Sequence, residues 1–242
     1  MSKKVKKNRQ EGRRDRVRER YEMVGFDGFL NPEILEYFLY HCIPRHDTKE
    51  TAHRLLEEFG NVCNVIEAHP QELQKRGKIS RNAAIYLNSL SQFFIRYQRE
   101  KFGKKPKFKD SKELGNYCKV LFLDKKVETF YLICLDKQMR MLSAEMVAAG
   151  GLVEVWLNPT RIVDIVRTYG AVGVVLAHNH PSGCLKISDE DITTTAEIRK
   201  HLQTLNITVV DHIIVGHDEY VSFVEEKIMP GNNALPGVTG EI

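Results

Sequence analysis

Residues 176–191 read LAHNHPSGCLKISDED, and no other stretch of the 242-residue chain concentrates as much reactive side-chain chemistry. Side chains alternate along a strand, so His178 and His180 at a strand end point to the same side. Two imidazoles so placed make half a metal site. Pro181 cannot continue a central strand, and Ser182-Gly183 turn the chain away. Ser188 then starts a helix whose first turn holds Asp191, and a helix returning over the strand end brings that carboxylate towards both histidines. Two His plus one carboxylate leave a fourth tetrahedral position for water, the pattern of a catalytic rather than a structural zinc site.

Such a site also needs a proton carrier outside the ligand set. Glu145 is the candidate, on a strand predicted over 139–147, where it would share a sheet face with Met139, Met141 and Ser143. Glu154, beyond Gly150-Gly151, competes for the role. Ser188 can donate a hydrogen bond to the oxyanion formed on an attacked carbonyl. Taken alone, Ser188-Asp189-Glu190-Asp191 reads equally as a capping box with acids at a helix N-terminus. It is the combination with His-x-His at this spacing that points to a metal.

The elements that must position these groups fall into two sections. From residue 21 to 100 the pattern is helical. Asn31-Pro32-Glu33 opens one helix, Thr48 caps a second that ends at Gly60, short helices follow near 62–68 and 71–75, and a longer one covers 82–99. Residues 101–112, with Gly, Pro and five lysines by residue 109, read as a linker. From there the period changes to two, with strands predicted at 119–123, 127–135, 139–147, 171–178, 207–215 and 220–223, and a hairpin turn at Asp136-Lys137-Gln138. Helices over 158–169 and 189–205 alternate with the later strands, which implies a layered α/β domain. The expected organisation is a basic arm (1–20), a helical domain (21–100), a basic linker (101–112), an α/β domain (113–228) and a loose tail (229–242).

Composition sets the outer bounds. Hydrophobic residues make up 42% and charged residues 28%, an ordinary globular balance. The net charge of +4 conceals a map: residues 1–20 carry +7, 21–95 carry −3, 96–112 carry +6 and 113–242 carry −6. The two basic strips could neutralise phosphates, or simply serve as a solubilising arm and a hinge. The longest apolar run, 171–177, is far short of the roughly 20 residues that span a bilayer. The basic N-terminus leads into no continuous apolar stretch and does not read as a secretory signal. Five cysteines with no C-x-x-C pair argue against a disulfide framework or a zinc knuckle, and a reducing cytoplasm is the expected location.

The pattern His-x-His, seven residues, then Ser-x-x-Asp, with a Glu on an earlier strand, resembles the JAMM (MPN+) metalloprotease motif. The core from His178 to Gly183, the later Asp211-His212-Ile213-Ile214-Val215-Gly216, and the helical section with Ile43-Pro44-Arg45-His46-Asp47-Thr48 and Ala52-His53-Arg54-Leu55-Leu56 look like bacterial RadC proteins, over about residues 13–226. The resemblance implies one zinc held by His178, His180 and Asp191, Glu145 as general acid/base and Ser188 assisting the oxyanion. It implies a small all-α N-terminal domain of helix-hairpin-helix type, followed by a three-layer, cytidine-deaminase-like α/β domain. The implied activity is cleavage of an amide bond, peptide or isopeptide, in a peptide or protein-conjugate substrate.

A second class of function stands beside it, a DNA-associated repair factor that meets nucleic acid through residues 1–20 and 96–112. The turn that would grip phosphates reads Lys78-Ile79-Ser80, with neither glycine of the Gly-x-Gly pattern, and this weakens that route. A zinc deaminase would show His-x-Glu together with Pro-Cys-x-x-Cys, and the latter is not present. Cys184 reads as an idle thiol or an extra ligand over the metal, and His212 as a structural sheet histidine beside Asp211. Substrate identity and oligomeric state stay open.

Overall fold

The structure, a computed structural model, describes residues 3–44, 46–150 and 159–229, with side chains from residue 12 onward. Glu154, Arg45 and the tail expected from Pro230 lie outside the described residues. The chain forms two compact units, Met1–Arg96 and Tyr97–Ile242.

The first unit is helical: α1 (Lys3–Val24), α2 (Asn31–Cys42), α3 (Lys49–Phe59), α4 (Val62–Glu67), α5 (Pro70–Lys75) and α6 (Arg81–Lys101), the last extending past the boundary. Its core gathers Leu35, Leu39, Leu55, Leu73 and Leu87, all fully buried. Local chemistry sets the ends. Asn61 Oδ1 accepts the N–H of Asn64 at 2.8 Å to cap α4, and Gly60, at φ +89°, stops α3. Leu30 rather than Asn31 is the N-cap of α2, because the Glu33 side chain reaches back to the Leu30 N–H at 2.9 Å. Thr48 makes no capping bond, while Asp47 Oδ1 accepts the Lys49 N–H.

Two expectations change in this unit. Residues 12–20 are not a solvated arm but part of α1, pinned on one side. Arg13 makes two bonds, 2.9 and 2.6 Å, to the carboxylate of Glu36, which is 3% exposed. Arg14 donates to the carbonyls of Ile43, Pro44 and His46, and Val17 packs with Phe29 and Tyr40. The low apolar content concealed this, because guanidinium groups do the anchoring. The turn at residue 78 also keeps its left-handed backbone without glycine, since Lys78 has φ +52°. Gly77 beside it is required for a different reason: a Cβ there would lie 2.5 Å from Leu55 and 2.6 Å from the Leu73 carbonyl.

The second unit places α7 (Ser111–Leu121), β1 (Thr129–Leu135), β2 (Met141–Ala149), α8 (Pro159–Tyr169), β3 (Gly173–Asn179), α9 (Asp189–Gln203), β4 (Thr208–Val215) and β5 (Tyr220–Ser222) around one sheet. Strand order is β2-β1-β3-β4-β5, with β3 and β4 parallel and every other pair antiparallel. One sheet face, with Phe130, Leu132, Val174 and Leu176, packs on Ile162 and Val166 of α8 and Ile198 and Leu202 of α9. The other, with Ile133, Val175 and Ile213, packs on Leu114 and Cys118 of α7. Central β3 is buried along its whole length, as its unbroken apolar run requires.

The strand predicted at 119–123 is instead the end of α7 and the turn after it. Leu114, Cys118 and Phe122 recur every four residues, and that longer helical period prevails over five residues of apparent alternation. The linker reading also ends early. The Pro106 carbonyl accepts from Met141 N, the Phe108 N–H donates to the Met139 carbonyl, and Phe108 is 2% exposed, so residues 106–108 are fastened to the sheet. All five cysteines are free thiols. Among the described residues no helix is long and apolar enough to cross a membrane.

Candidate metal centre

At the C-terminal end of β3, His178 Nε2 lies 3.0 Å from His180 Nε2 and 3.1 Å from Asp191 Oδ1. Ligand atoms about 2.0–2.1 Å from a tetrahedral ion stand about 3.3 Å apart, so these separations are close to the edges of such a coordination shell. Glu128 completes the group: a carboxylate oxygen of Glu128 and one ring nitrogen of each histidine all lie within 4.8 Å of one another. The β1/β3 register explains its presence. Phe130 pairs with His178, so extending the antiparallel ladder by two residues sets Glu128 opposite His180, on the same side of the sheet.

Hydrogen-bond partners fix which nitrogens face the centre. His180 Nδ1 lies 2.7 Å from the Cys184 carbonyl, an acceptor only, so Nδ1 carries the proton and Nε2 presents a lone pair. His178 Nδ1 lies 2.8 Å from His212 Nε2. His212 is fully buried, and burial holds its pKa well below the usual imidazole value, so its ring is neutral. With the Thr195 hydroxyl proton committed to the Asp191 carbonyl at 2.5 Å, His212 Nδ1 must donate to Thr195 Oγ1 at 2.6 Å. His212 Nε2 is then an acceptor, His178 Nδ1 donates to it, and His178 Nε2 is bare. With both rings neutral, two imidazole lone pairs and a carboxylate oxygen thus converge. That donor set repels itself unless a cation sits among it, and nitrogen and oxygen donors of this kind suit a zinc-class ion.

Asp191 and Glu128 are each held in place. Asp191 Oδ2 accepts both the backbone N–H of Ser188 at 2.9 Å and its hydroxyl at 2.7 Å, which turns Oδ1 towards His178. Burial works to raise the Asp191 pKa, and the two Ser188 bonds work to lower it. Behind Glu128, the buried amide of Asn179 accepts the Thr129 N–H at 2.9 Å and donates to the carbonyls of Lys125 and Val127. Standing between the two histidines but facing the opposite way, Asn179 straps the segment that carries Glu128.

Residues 108–228 match the family model described as the RadC-like JAB domain. The chain belongs to the RadC family. Its similarity to curated relatives runs through both units. A UPF0758 protein of Fusobacterium nucleatum is 33% identical over 226 residues, 90% of this chain and 97% of the relative. UPF0758 proteins of Carboxydothermus hydrogenoformans and Rhodobacter capsulatus are 31% and 28% identical, each over 88% of this chain and over 94% and 100% of the relative.

Set in this RadC-family domain, the residues singled out from sequence divide. His178, His180 and Asp191 come together. Glu145 does not join them: it pairs with Leu132 on edge strand β2, two strands across from β3 and displaced along it, and Oε1 accepts the Tyr169 hydroxyl at 2.6 Å. Glu128, which the sequence reading does not single out, stands beside the two histidines. Its signal was an acid immediately before a strand able to pair antiparallel with the one ending in His-x-His. Ser188 is the N-cap of α9, and its single proton is given to Asp191 rather than turned towards a bound carbonyl. Cys184 is exposed, and what it offers the centre is its backbone carbonyl, to His180. His212 is no isolated sheet histidine, since it bonds directly to His178.

Proposed function

We propose that the second unit is a zinc-dependent amide hydrolase of JAMM type, built on a cytidine-deaminase-like frame and acting on a peptide or isopeptide bond. The observation that carries this reading is the convergence of the bare Nε2 atoms of His178 and His180 with Asp191 Oδ1, beside the carboxylate of Glu128. His178, His180 and Asp191 would hold the ion, which when bound supplies Lewis acidity and acidifies a water. Glu128 would carry the proton between the attacking water and the leaving amine nitrogen, the work expected of Glu145. Phe130 stacks on the His178 ring, with centroids 5.7 Å apart and planes within 8°, and keeps it from rotating.

Two measurements test the reading. Purified protein should carry about one zinc per chain, and His178→Ala and Asp191→Ala should lose it. Stoichiometric zinc in both variants would remove the ligand assignment. On a library of peptide and isopeptide substrates, Glu128→Gln should retain zinc yet lower turnover about a hundredfold or more. Glu145→Gln should leave turnover within about twofold of the parent; a large loss there with none at Glu128 would reverse the assignment.

A further inference from the structure

We infer that His212 and Thr195 form a proton-ordering relay that keeps His178 in the tautomer able to bind a metal, a role that rests on the metal centre proposed above. The relay begins at a backbone atom. Thr195 Oγ1 stands 2.5 Å from the Asp191 carbonyl, and two oxygens at that distance need a proton between them, which only the hydroxyl can supply. Thr195 therefore has only lone pairs to offer His212 Nδ1, 2.6 Å away. The His212 ring is fully buried between Thr195 and His178, and a single ring proton facing the Thr195 lone pairs sits on Nδ1, leaving Nε2 as an acceptor for His178 Nδ1 at 2.8 Å. Each link admits one direction only, so the helix carbonyl of Asp191 decides which nitrogen of His178 carries the proton and which would be free to bind an ion.

The surroundings close off other solutions. His212 and Thr195 are fully buried, and the His212 ring is walled by Phe223 at 4.6 Å and Phe130 at 5.7 Å between centroids. Thr195 Oγ1 and His178 Nδ1 are the hydrogen-bond partners of its ring among the described residues. The same stretch of α9 supplies the ligand Asp191 and, one turn later, the residue that orders the ligand His178. Without the Thr195 oxygen, His212 Nδ1–H loses its acceptor. Its proton then favours Nε2, from which it donates to His178 Nδ1. The His178 proton moves to Nε2, the atom that must be bare to bind. These two are positioning residues, acting on the ion only through His178.

The test uses the full chain and Zn2+ itself. Long-range proton–nitrogen NMR of apo protein with labelled histidines should show His178 and His180 protonated at Nδ1 and unprotonated at Nε2. Competition with a chelator should show Thr195→Val, which keeps the shape of the side chain, binding Zn2+ about tenfold to a hundredfold more weakly than the parent. His178 should shift to the Nε2–H tautomer in that variant. Thr195→Ser restores the hydroxyl and should restore both readouts. His212→Gln, whose amide oxygen can replace Nε2 as acceptor, should bind more tightly than His212→Leu. A folded Thr195→Val with Zn2+ affinity within twofold of the parent, or a parent His178 protonated at Nε2, would overturn the relay. A parent that binds no Zn2+ while showing the ordered tautomers would instead overturn the metal centre and leave the relay standing.

Discussion

At the scale of single residues, the least conspicuous member of the site is Asn179. Its amide accepts one backbone N–H and donates to two backbone carbonyls between residues 125 and 129. Asn179→Ala leaves those groups without partners, one of them fully buried, and should cost about 1–3 kcal/mol in urea unfolding. An unchanged midpoint would show that water replaces the amide. His178, His180 and Asp191 were legible from the sequence because they fall within fourteen consecutive residues, and strand alternation with a Ser-x-x-Asp helix start settles their directions locally. Glu128 was not legible, because it reaches the histidines through a pairing between segments fifty residues apart. Glu145 had the right residue type on a predicted strand; only the strand order places it across the sheet, against Tyr169.

At the scale of elements, α1 shows how composition misleads. A basic stretch with few apolar residues suggests a tail, yet Arg13 neutralises a carboxylate that is 3% exposed, and Arg20 pairs with Glu33 while covering the Phe29 ring at 3.9 Å. Removing one partner of a fully buried pair costs several kcal/mol; Arg13 is 40% exposed, so the loss is smaller. Arg13→Ala should destabilise the first unit by about 1–2 kcal/mol, read as a shift in its urea midpoint. Deleting residues 1–20 should do more, which makes truncation a poor probe of nucleic-acid binding. Arg16→Glu with Arg18→Glu changes exposed charge and leaves the anchors intact. If α1 is an electrostatic contact for DNA, this double variant should reduce both the affinity and its salt dependence. Unchanged binding would take α1 out of that role.

At the scale of the whole molecule, Asp211 ties the second unit together. Its buried carboxylate accepts from the backbone of His212 and Val224 and from the Ser222 hydroxyl, and the Ser111 side chain of α7 also reaches it. Burial raises its pKa to about 6 against the opposing pull of those donors. A carboxyl whose folded pKa lies above its unfolded value of 3.8 favours the fold while protonated, and that contribution is lost as pH rises through about 6. The difference is roughly 3 kcal/mol across that window. The urea midpoint of the parent should therefore fall between about pH 4 and pH 7 relative to Asp211→Asn, which carries no titrating group there. Parallel pH profiles for the two proteins would contradict this.

The amino-acid sequence by itself determined what repeats over a few residues: the helical first unit, the buried run of β3, the Pro-Ser-Gly turn and the spacing of His178, His180 and Asp191. These follow from side-chain periodicity and backbone preference inside one element. Tertiary structure alone decided the rest. Strand order brought Glu128 to the histidines and kept Glu145 away, α9 set Thr195 against His212, and α1 found Glu36. Each of these depends on which elements become neighbours, and in what register. Local periodicity does not encode that choice, because it is made by the burial of complementary faces across the whole chain.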